Sequence, residues 1–440
     1  MKHIFYLFLI TITIIACNSD DAITENIDIS DDNLTNSKPN ILLIIADDMG
    51  VDATPGYSIG NTKPTMPTLQ NMITSGLRFN NVWSNPTCTP TRATLLTGKY
   101  GFRTNVTKVD DVLSTSETSL QSYLKSNGAL DYSSAVIGKW HLGRNENHPN
   151  NLGIEYFSGF LGAGVQSYWN WNLTINGQTT ASTEYTTTKL TDLAIDWIGT
   201  QTQPWFLWLA YNAPHTPFHL PPNELHSQGF LPTDNASISA NLLPYYLAMI
   251  EAMDAEMGRL INAMSQEEKD NTVIIFIGDN GTPGQVIQEQ SKFRAKGSIY
   301  QGGVNVPMII SGKNVTRIND TEDALINTTD LFATIASIAG INVNEVNDSK
   351  NFQNLFTVQN AGERNYTYAE NRQNSGNFDT TIRNTTHKYM LFDDGSEEFY
   401  ELNNGELEST NLLDASQLPL SNLNETIKKE LIDRITEIKQ

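Results

Sequence analysis

Four apolar runs in this chain end in the same way. Ile41 to Ala46 is continuously hydrophobic and stops at Asp47-Asp48. Ala135-Val136-Ile137 leads into Gly138-Lys139-Trp140-His141, Trp205 to Tyr211 into Ala213-Pro214-His215, and Val273 to Ile277 into Gly278-Asp279-Asn280-Gly281. Short runs without polar alternation predict strands buried on both faces, as in a parallel sheet. Each run delivers polar or charged groups at its C-terminal end, the edge where open α/β sheets bind ligands.

Helical spacing fills the intervals. Met249, Met253, Met257, Leu260 and Met264 form a stripe within residues 245–264, which reads as core packing. Residues 186–198 and 330–339 carry similar amphipathic spacing. The βα alternation predicts an α/β fold, a mostly parallel central sheet sandwiched by helices. After Gly340 the pattern changes to short strand-like segments at 366–369, 379–383, 387–392 and 398–402, with Asp393-Asp394-Gly395 as a hairpin turn. Leu423, Ile427, Leu431, Ile435 and Ile438 then mark a last amphipathic helix. The expected organisation is an α/β domain over residues 38–345 and a small C-terminal α+β subdomain over 346–440, an antiparallel sheet with one helix.

The N-terminus reads as a targeting segment. Lys2 and His3 precede an apolar run from Ile4 to Ala16, about the length of a signal-peptide core. The run closes on Thr-Ile-Ile-Ala-Cys17, which looks like a bacterial lipobox. Residues 1–16 are thus expected to be a signal peptide and Cys17 a lipid anchor to the membrane. Residues 17–37 would be a disordered acidic tether, too poor in apolar surface to offset its ordering entropy. The expected location is the bacterial cell envelope, at the outer membrane.

Charge narrows the partners. A formal net charge of −21 over 440 residues argues against nucleic acid. An anionic substrate would need a local cluster of cations to overcome the global field. Only two cysteines exist, Cys17 and Cys88. Cys88 as a plain thiol nucleophile has little support, because the Cys-x5-Arg phosphatase loop is absent: Arg92 follows four residues on.

Cys88-Thr89-Pro90-Thr91-Arg92 resembles the signature of the type I sulfatases, in which a maturing enzyme oxidises the cysteine to formylglycine. With the strand-end motifs, the resemblance covers roughly residues 38–410 and implies an alkaline-phosphatase-like fold. It implies that Asp47, Asp48, Asp279, Asn280 and the modified Cys88 bind one Ca²⁺, an all-oxygen set suited to a hard cation. It implies that His141 takes the gem-diol proton and that Lys139 and Lys296 contact sulfate. Arg92 would brace the formylglycine, and His215 would face the leaving-group oxygen. The implied activity is sulfate-ester hydrolysis, with a sulfated, marine-type (ulvan-like) carbohydrate as substrate and a formylglycine-generating enzyme as partner. Two other readings stay open: a phosphonate monoester or phosphodiester hydrolase with the same nucleophile, and a non-catalytic glycan-binding lipoprotein. Asn305 stands where the family often has an arginine, a position that is structural or substrate-facing, so the departure bears on specificity more than on chemistry. His148 and Ser167 are weak candidates for a further polar site residue. Tyr168-Trp169-Asn170-Trp171 is either a sugar-stacking platform or core.

Overall fold

The structure, a computed structural model, describes residues 38–402 and 407–440. The expected signal peptide, Cys17 and the tether lie outside the described residues. Among the described residues, no helix is long and apolar enough to cross a membrane. Residues Lys38–Gln440 form one compact unit.

Ten strands make the central sheet: β1 (Asn40–Ala46), β2 (Gly76–Phe79), β3 (Ser133–Lys139), β4 (Tyr156–Phe160), β5 (Trp171–Ile175), β6 (Gln178–Ser182), β7 (Trp205–Ala210), β8 (Thr272–Gly278), β9 (Met308–Gly312) and β10 (Asp320–Glu322). Their order is β10-β2-β9-β8-β1-β7-β3-β4-β5-β6. The centre, β8-β1-β7-β3-β4, is parallel throughout. Both flanks contain antiparallel pairs. The four apolar runs are therefore the four adjacent central strands. Their residues alternate between two cores: Ile41, Leu43 and Ile45 enter one, Leu42, Ile44 and Ala46 the other. That is why neither face shows polar alternation. The β5–β6 hairpin escaped the sequence reading because most of β6 is exposed and polar at the sheet's end.

Helices cover both faces. Those used below are α1 (Pro67–Thr74), α2 (Cys88–Thr97), α3 (Thr186–Ile198), α4 (Leu243–Ala263), α5 (Leu331–Ile338) and α6 (Asn422–Ile438). The methionine stripe lies on α4 and at its cap, fully buried in the second core. The segment expected over residues 330–339 is α5, entered through a 3₁₀ turn at Thr328–Asp330.

The change of pattern after Gly340 corresponds to a four-stranded antiparallel sheet, β11 (Thr367–Arg372), β12 (Phe378–Arg383), β13 (His387–Leu391) and β14 (Glu397–Glu401). Gly395, at φ 85°, closes the β13–β14 hairpin. One face of this sheet packs Ile382, Tyr389 and Phe399 against Leu431 and Ile435 of α6. Elsewhere Met390 and Tyr400 meet Ile299, tying the small sheet to the segment that carries Lys296. Leu423, counted in the apolar stripe, is instead exposed in the first turn of α6.

Candidate active site

Register brings the motifs together. Ala46 pairs with Gly278, and both Ile45 and Gly138 pair with Ala210. Parallel strands in this register end on one edge of the sheet, so Asp47-Asp48, Asp279-Asn280, Lys139-His141 and the loop to His215 emerge side by side. The ladder continues one step further: Asp279 N donates to Ala46 O at 3.0 Å, and Asp47 N to Ala213 O at 3.1 Å. Asp48 (φ 70°) and His141 (φ 55°) take the left-handed conformation, uncommon without glycine and concentrated at functional sites.

Helix α2 supplies the rest. Cys88 is its first residue, and Arg92 lies one turn on, on the same face. Pro90 falls in the first turn, where no backbone N–H has an intrahelical acceptor to lose. Cys88 Sγ lies 3.2 Å from His141 Nδ1. The buried Arg92 guanidinium reaches Asp279 Oδ2 at 2.8 Å and the Lys139 carbonyl at 2.9 Å.

Lysines face the acids. Lys139 Nζ is 2.5 Å from Asp47 Oδ2, and Lys296 Nζ is 2.5 Å from Asp48 Oδ1. Asn280 Nδ2 donates to Asp48 Oδ1 at 2.8 Å, and His215 Nε2 stands 3.8 Å from Asp48 Oδ2. The residues named from the sequence for catalysis and for the metal are thus in one cluster. Cys88, Lys139, His141 and the four metal-set residues are almost wholly buried. Only the Lys296 and His215 side chains keep appreciable exposure, 20% and 17%, so they mark the entrance.

Residues 39–341, more than half of the chain, match the family model described as Sulfatase. The chain belongs to the sulfatase family. It is 28% identical over 367 residues to the uncharacterized sulfatase YdeN of Escherichia coli, covering 70% of this chain and 64% of that protein. It is 28% identical over 362 residues to arylsulfatase G of Rattus norvegicus, covering 69% and 65%. The chain thus spans somewhat under two-thirds of the length of these relatives. Ps i-CgsB in complex with k-i-k-neocarrahexaose superposes with a TM-score of 0.76 at 24% identity, covering 91% of this chain and 92% of that one. The Ps i-CgsB structure described without a ligand gives 0.74 at 26% identity, with the same coverage.

Burial and charge set the protonation of this sulfatase-family site. Burial pushes the Cys88 thiol up, making it a poor thiolate, with Lys139 opposing. Burial, then the Asp47 charge, pushes Asp279 up to about 6. Burial acts to raise Asp48 as well, but Lys296, His215 and Lys139 outweigh it and hold the carboxyl well below its usual range. His141 is driven far down by burial and then by Lys139 and Arg92; His215 falls to about 4 by burial and then Lys139. Both rings are therefore neutral near pH 7, able to accept a proton.

The residues fit a hard cation. Asp47 Oδ1 and Asn280 Oδ1 are buried without a hydrogen-bond partner, a costly state that a cation would relieve. Ligand atoms of Asp47, Cys88 and Asp279 lie within 4.8 Å of one another, and so do those of Asp47, Asp48 and His215. The sequence reading kept histidine out of the metal set. The fold instead brings His215 into its second group, because the loop after β7 folds over Asp48.

Contacts from Asp110, Thr89 and Tyr246 had no signal in the sequence. Asp110 Oδ1 lies 3.1 Å from His141 Nε2 and 2.9 Å from the Arg144 guanidinium. A carboxylate there requires the proton on Nε2, which leaves the Nδ1 lone pair facing residue 88. Thr89 Oγ1 sits 3.2 and 3.1 Å from the two ring nitrogens, over the ring rather than in line with either. Beneath the acids, Tyr246 on α4 donates to the Asp48 carbonyl at 2.8 Å. Asp110 belongs to an ordinary loop sequence, Val109-Asp110-Asp111, about which local pattern says nothing.

Other expectations change. Asn305 is buried, accepting from Val82 N and donating to Asn80 O, so it braces β-structure instead of facing a substrate. His148 links the Trp140 indole to the Leu113 carbonyl and is structural. Ser167 accepts from Trp169 N in its own loop. The aromatic run divides: Tyr168 and Trp171 are core, while Trp169 is 39% exposed against Tyr185 and His219.

Proposed function

We propose that the protein hydrolyses sulfate esters on a sulfated poly- or oligosaccharide. The observation that carries this reading is the buried convergence of Arg92, Lys139 and Lys296 with His141 Nδ1, 3.2 Å from the residue-88 side chain. Fixed cations in a water-poor pocket stabilise a sulfuryl group that gains negative charge in the transition state.

Cys88, converted to formylglycine by a maturing enzyme, would supply one hydroxyl of its hydrate to attack sulfur and a second whose deprotonation releases sulfate. The raised thiol pKa agrees with a cysteine that is not used as a thiolate. Asp47, Asp48, Asp279, Asn280 and residue 88 would hold one Ca²⁺, which supplies Lewis acidity at a sulfate oxygen. Lys139 and Lys296, which face these acids, would hold sulfate. His141, oriented by Asp110, takes a proton at Nδ1. His215 has Nδ1 committed to the Thr216 carbonyl at 2.9 Å, so Nε2 is its free atom. A bound anion favours the imidazolium, whose Nε2–H then reaches the leaving oxygen.

The carbohydrate part is supported by the fold shared with a protein bound to neocarrahexaose. Carrageenan-type galactan joins ulvan as a substrate class to test. The Cys17 lipobox supports a lipid-anchored enzyme of the cell envelope, at the outer membrane. The deciding experiment combines coexpression with a maturing enzyme, mass spectrometry of the Cys88 peptide, and NMR of desulfation on defined carrageenan and ulvan oligosaccharides. An unmodified thiol, with activity retained in Cys88→Ala, would sink the proposal. Faster cleavage of phosphodiesters than of any sulfate would favour the phosphoester reading.

A further inference from the structure

Beside the entrance lies a groove of about 560 Å³, within the range of ligand pockets. Its walls are the turn at Arg144–Glu146, the loop around Gly162–Gln166 and one face of the β5–β6 hairpin. Two of its lining residues touch groups of the site. Arg144 holds Asp110, the partner of His141. Gly164 lies against His215, so close that a methyl group there would stand 3.1 Å from Nδ1. The floor is tied to the site as well, since the Phe160 and Leu161 carbonyls accept from Trp140 N and His141 N.

The lining has a distinct chemistry. The lining is chiefly polar: Asn172, Thr174 and Thr179 give amide and hydroxyl groups, while Phe160 and Trp171 behind them are 4% exposed and leave only Leu161 partly open. Asn172 and Thr174 are two residues apart and so share a strand face; Thr174 pairs with Thr179, with hydroxyls 2.8 Å apart. Such groups both donate and accept, as sugar hydroxyls do. The acids proposed to hold the cation and the lysines proposed to hold sulfate do not line this groove, and its Arg144 is paired with Asp110, so the groove is not a second sulfate site.

We infer that this groove holds the neighbouring sugars of a saccharide chain whose sulfated unit reaches Cys88. This rests on the sulfate-ester reading above and makes the preferred substrate a chain instead of a monosaccharide sulfate. Gly162 offers a clean block. Its φ is ordinary, and an added Cβ would meet only the Gly164 carbonyl, at 3.8 Å. A Gly162→Leu side chain then projects into the groove without strain.

The test is calorimetric binding of di-, tetra- and hexasaccharide ladders from sulfated galactan and from ulvan to the full chain carrying Cys88→Ala, which prevents turnover. Affinity for at least one ladder should rise tenfold or more from two sugars to four. Adding Gly162→Leu should reduce that gain below twofold, with thermal unfolding unchanged. Asn172→Val, at an exposed strand position, is the second variant and should also cut the gain. Equal affinity across both ladders, no binding of either, or a gain that survives both variants overturns the inference. Because the readout is binding, length-dependent affinity without desulfation by the mature enzyme would keep the groove and refute the hydrolase reading.

Discussion

Removing the Asp110 carboxylate should slow turnover about tenfold and leave the fold intact. His141 needs its lone pair on Nδ1, toward residue 88, and Asp110 secures this by taking the Nε2 proton in a 3.1 Å hydrogen bond. A hydrogen bond to a charged group contributes about 1.5–3 kcal/mol. The Asp110 side chain is 48% exposed and shared with Arg144, so solvent screening trims this to about 1–1.5 kcal/mol. At about 1.4 kcal/mol per decade of rate, kcat for Asp110→Ala falls roughly five- to twelvefold. KM should stay within twofold, since Asp110 acts through His141, and stability should fall by about 1 kcal/mol, because Asp110 sits at φ 67°, which alanine tolerates less well than aspartate. Asp110→Asn keeps an oxygen for the Nε2 proton and should retain most of the rate. The assay is initial-rate hydrolysis of 4-nitrophenyl sulfate, normalised to formylglycine content by mass spectrometry. An unchanged kcat in Asp110→Ala, or a loss confined to KM, would refute the tautomer argument.

Other outcomes follow from the same contacts. Arg92→Met should destabilise the metal-free protein by about 3–5 kcal/mol in urea unfolding, because it strands the buried Asp279 carboxylate 2.8 Å from the missing guanidinium; a loss below 1 kcal/mol would count against that pairing. Saturating Ca²⁺ at about a hundred times its dissociation constant should add roughly 2.7 kcal/mol, seen as a chelator-sensitive rise in melting temperature that Asp47→Ala abolishes. Gly138→Ala should prevent folding, since Gly138 has φ 112° and its Cβ would stand 1.9 Å from the Ala210 carbonyl; soluble, normally melting protein would contradict this. Asn305→Ala should lower stability by about 1–3 kcal/mol by leaving the buried Val82 N–H without its acceptor, with sulfate-ester selectivity unchanged in a substrate panel.

Local pattern was enough for the central strands, the methionine-lined helix and the polar groups at the strand ends. Each is encoded in a few consecutive residues, through a two-sided apolar run or a 3.6-residue period. Peripheral elements were less legible. The hairpin at 171–182 has a mostly exposed second strand, and Leu423 kept the helical period while facing solvent. Asn305 and His148 were ambiguous for the same reason: a lone polar side chain does not reveal whether its partners are a backbone or a ligand.

By itself, the sequence determined which chemical groups stand at the ends of four buried strands and that Cys88, Pro90 and Arg92 lie within five consecutive residues. It could not determine strand order. The parallel order β8-β1-β7-β3 is a long-range choice, made by packing two cores at once, and it sets Asp47 near Lys139, while the loop after β8 brings Lys296 to Asp48. The tertiary structure also decided what no motif announced: the Asp110 contact that orients His141, and the groove along the β5–β6 hairpin whose Arg144 and Gly164 touch Asp110 and His215. Those features depend on segments distant in sequence meeting at one sheet edge, where side-chain chemistry is set by neighbours and not by position along the chain.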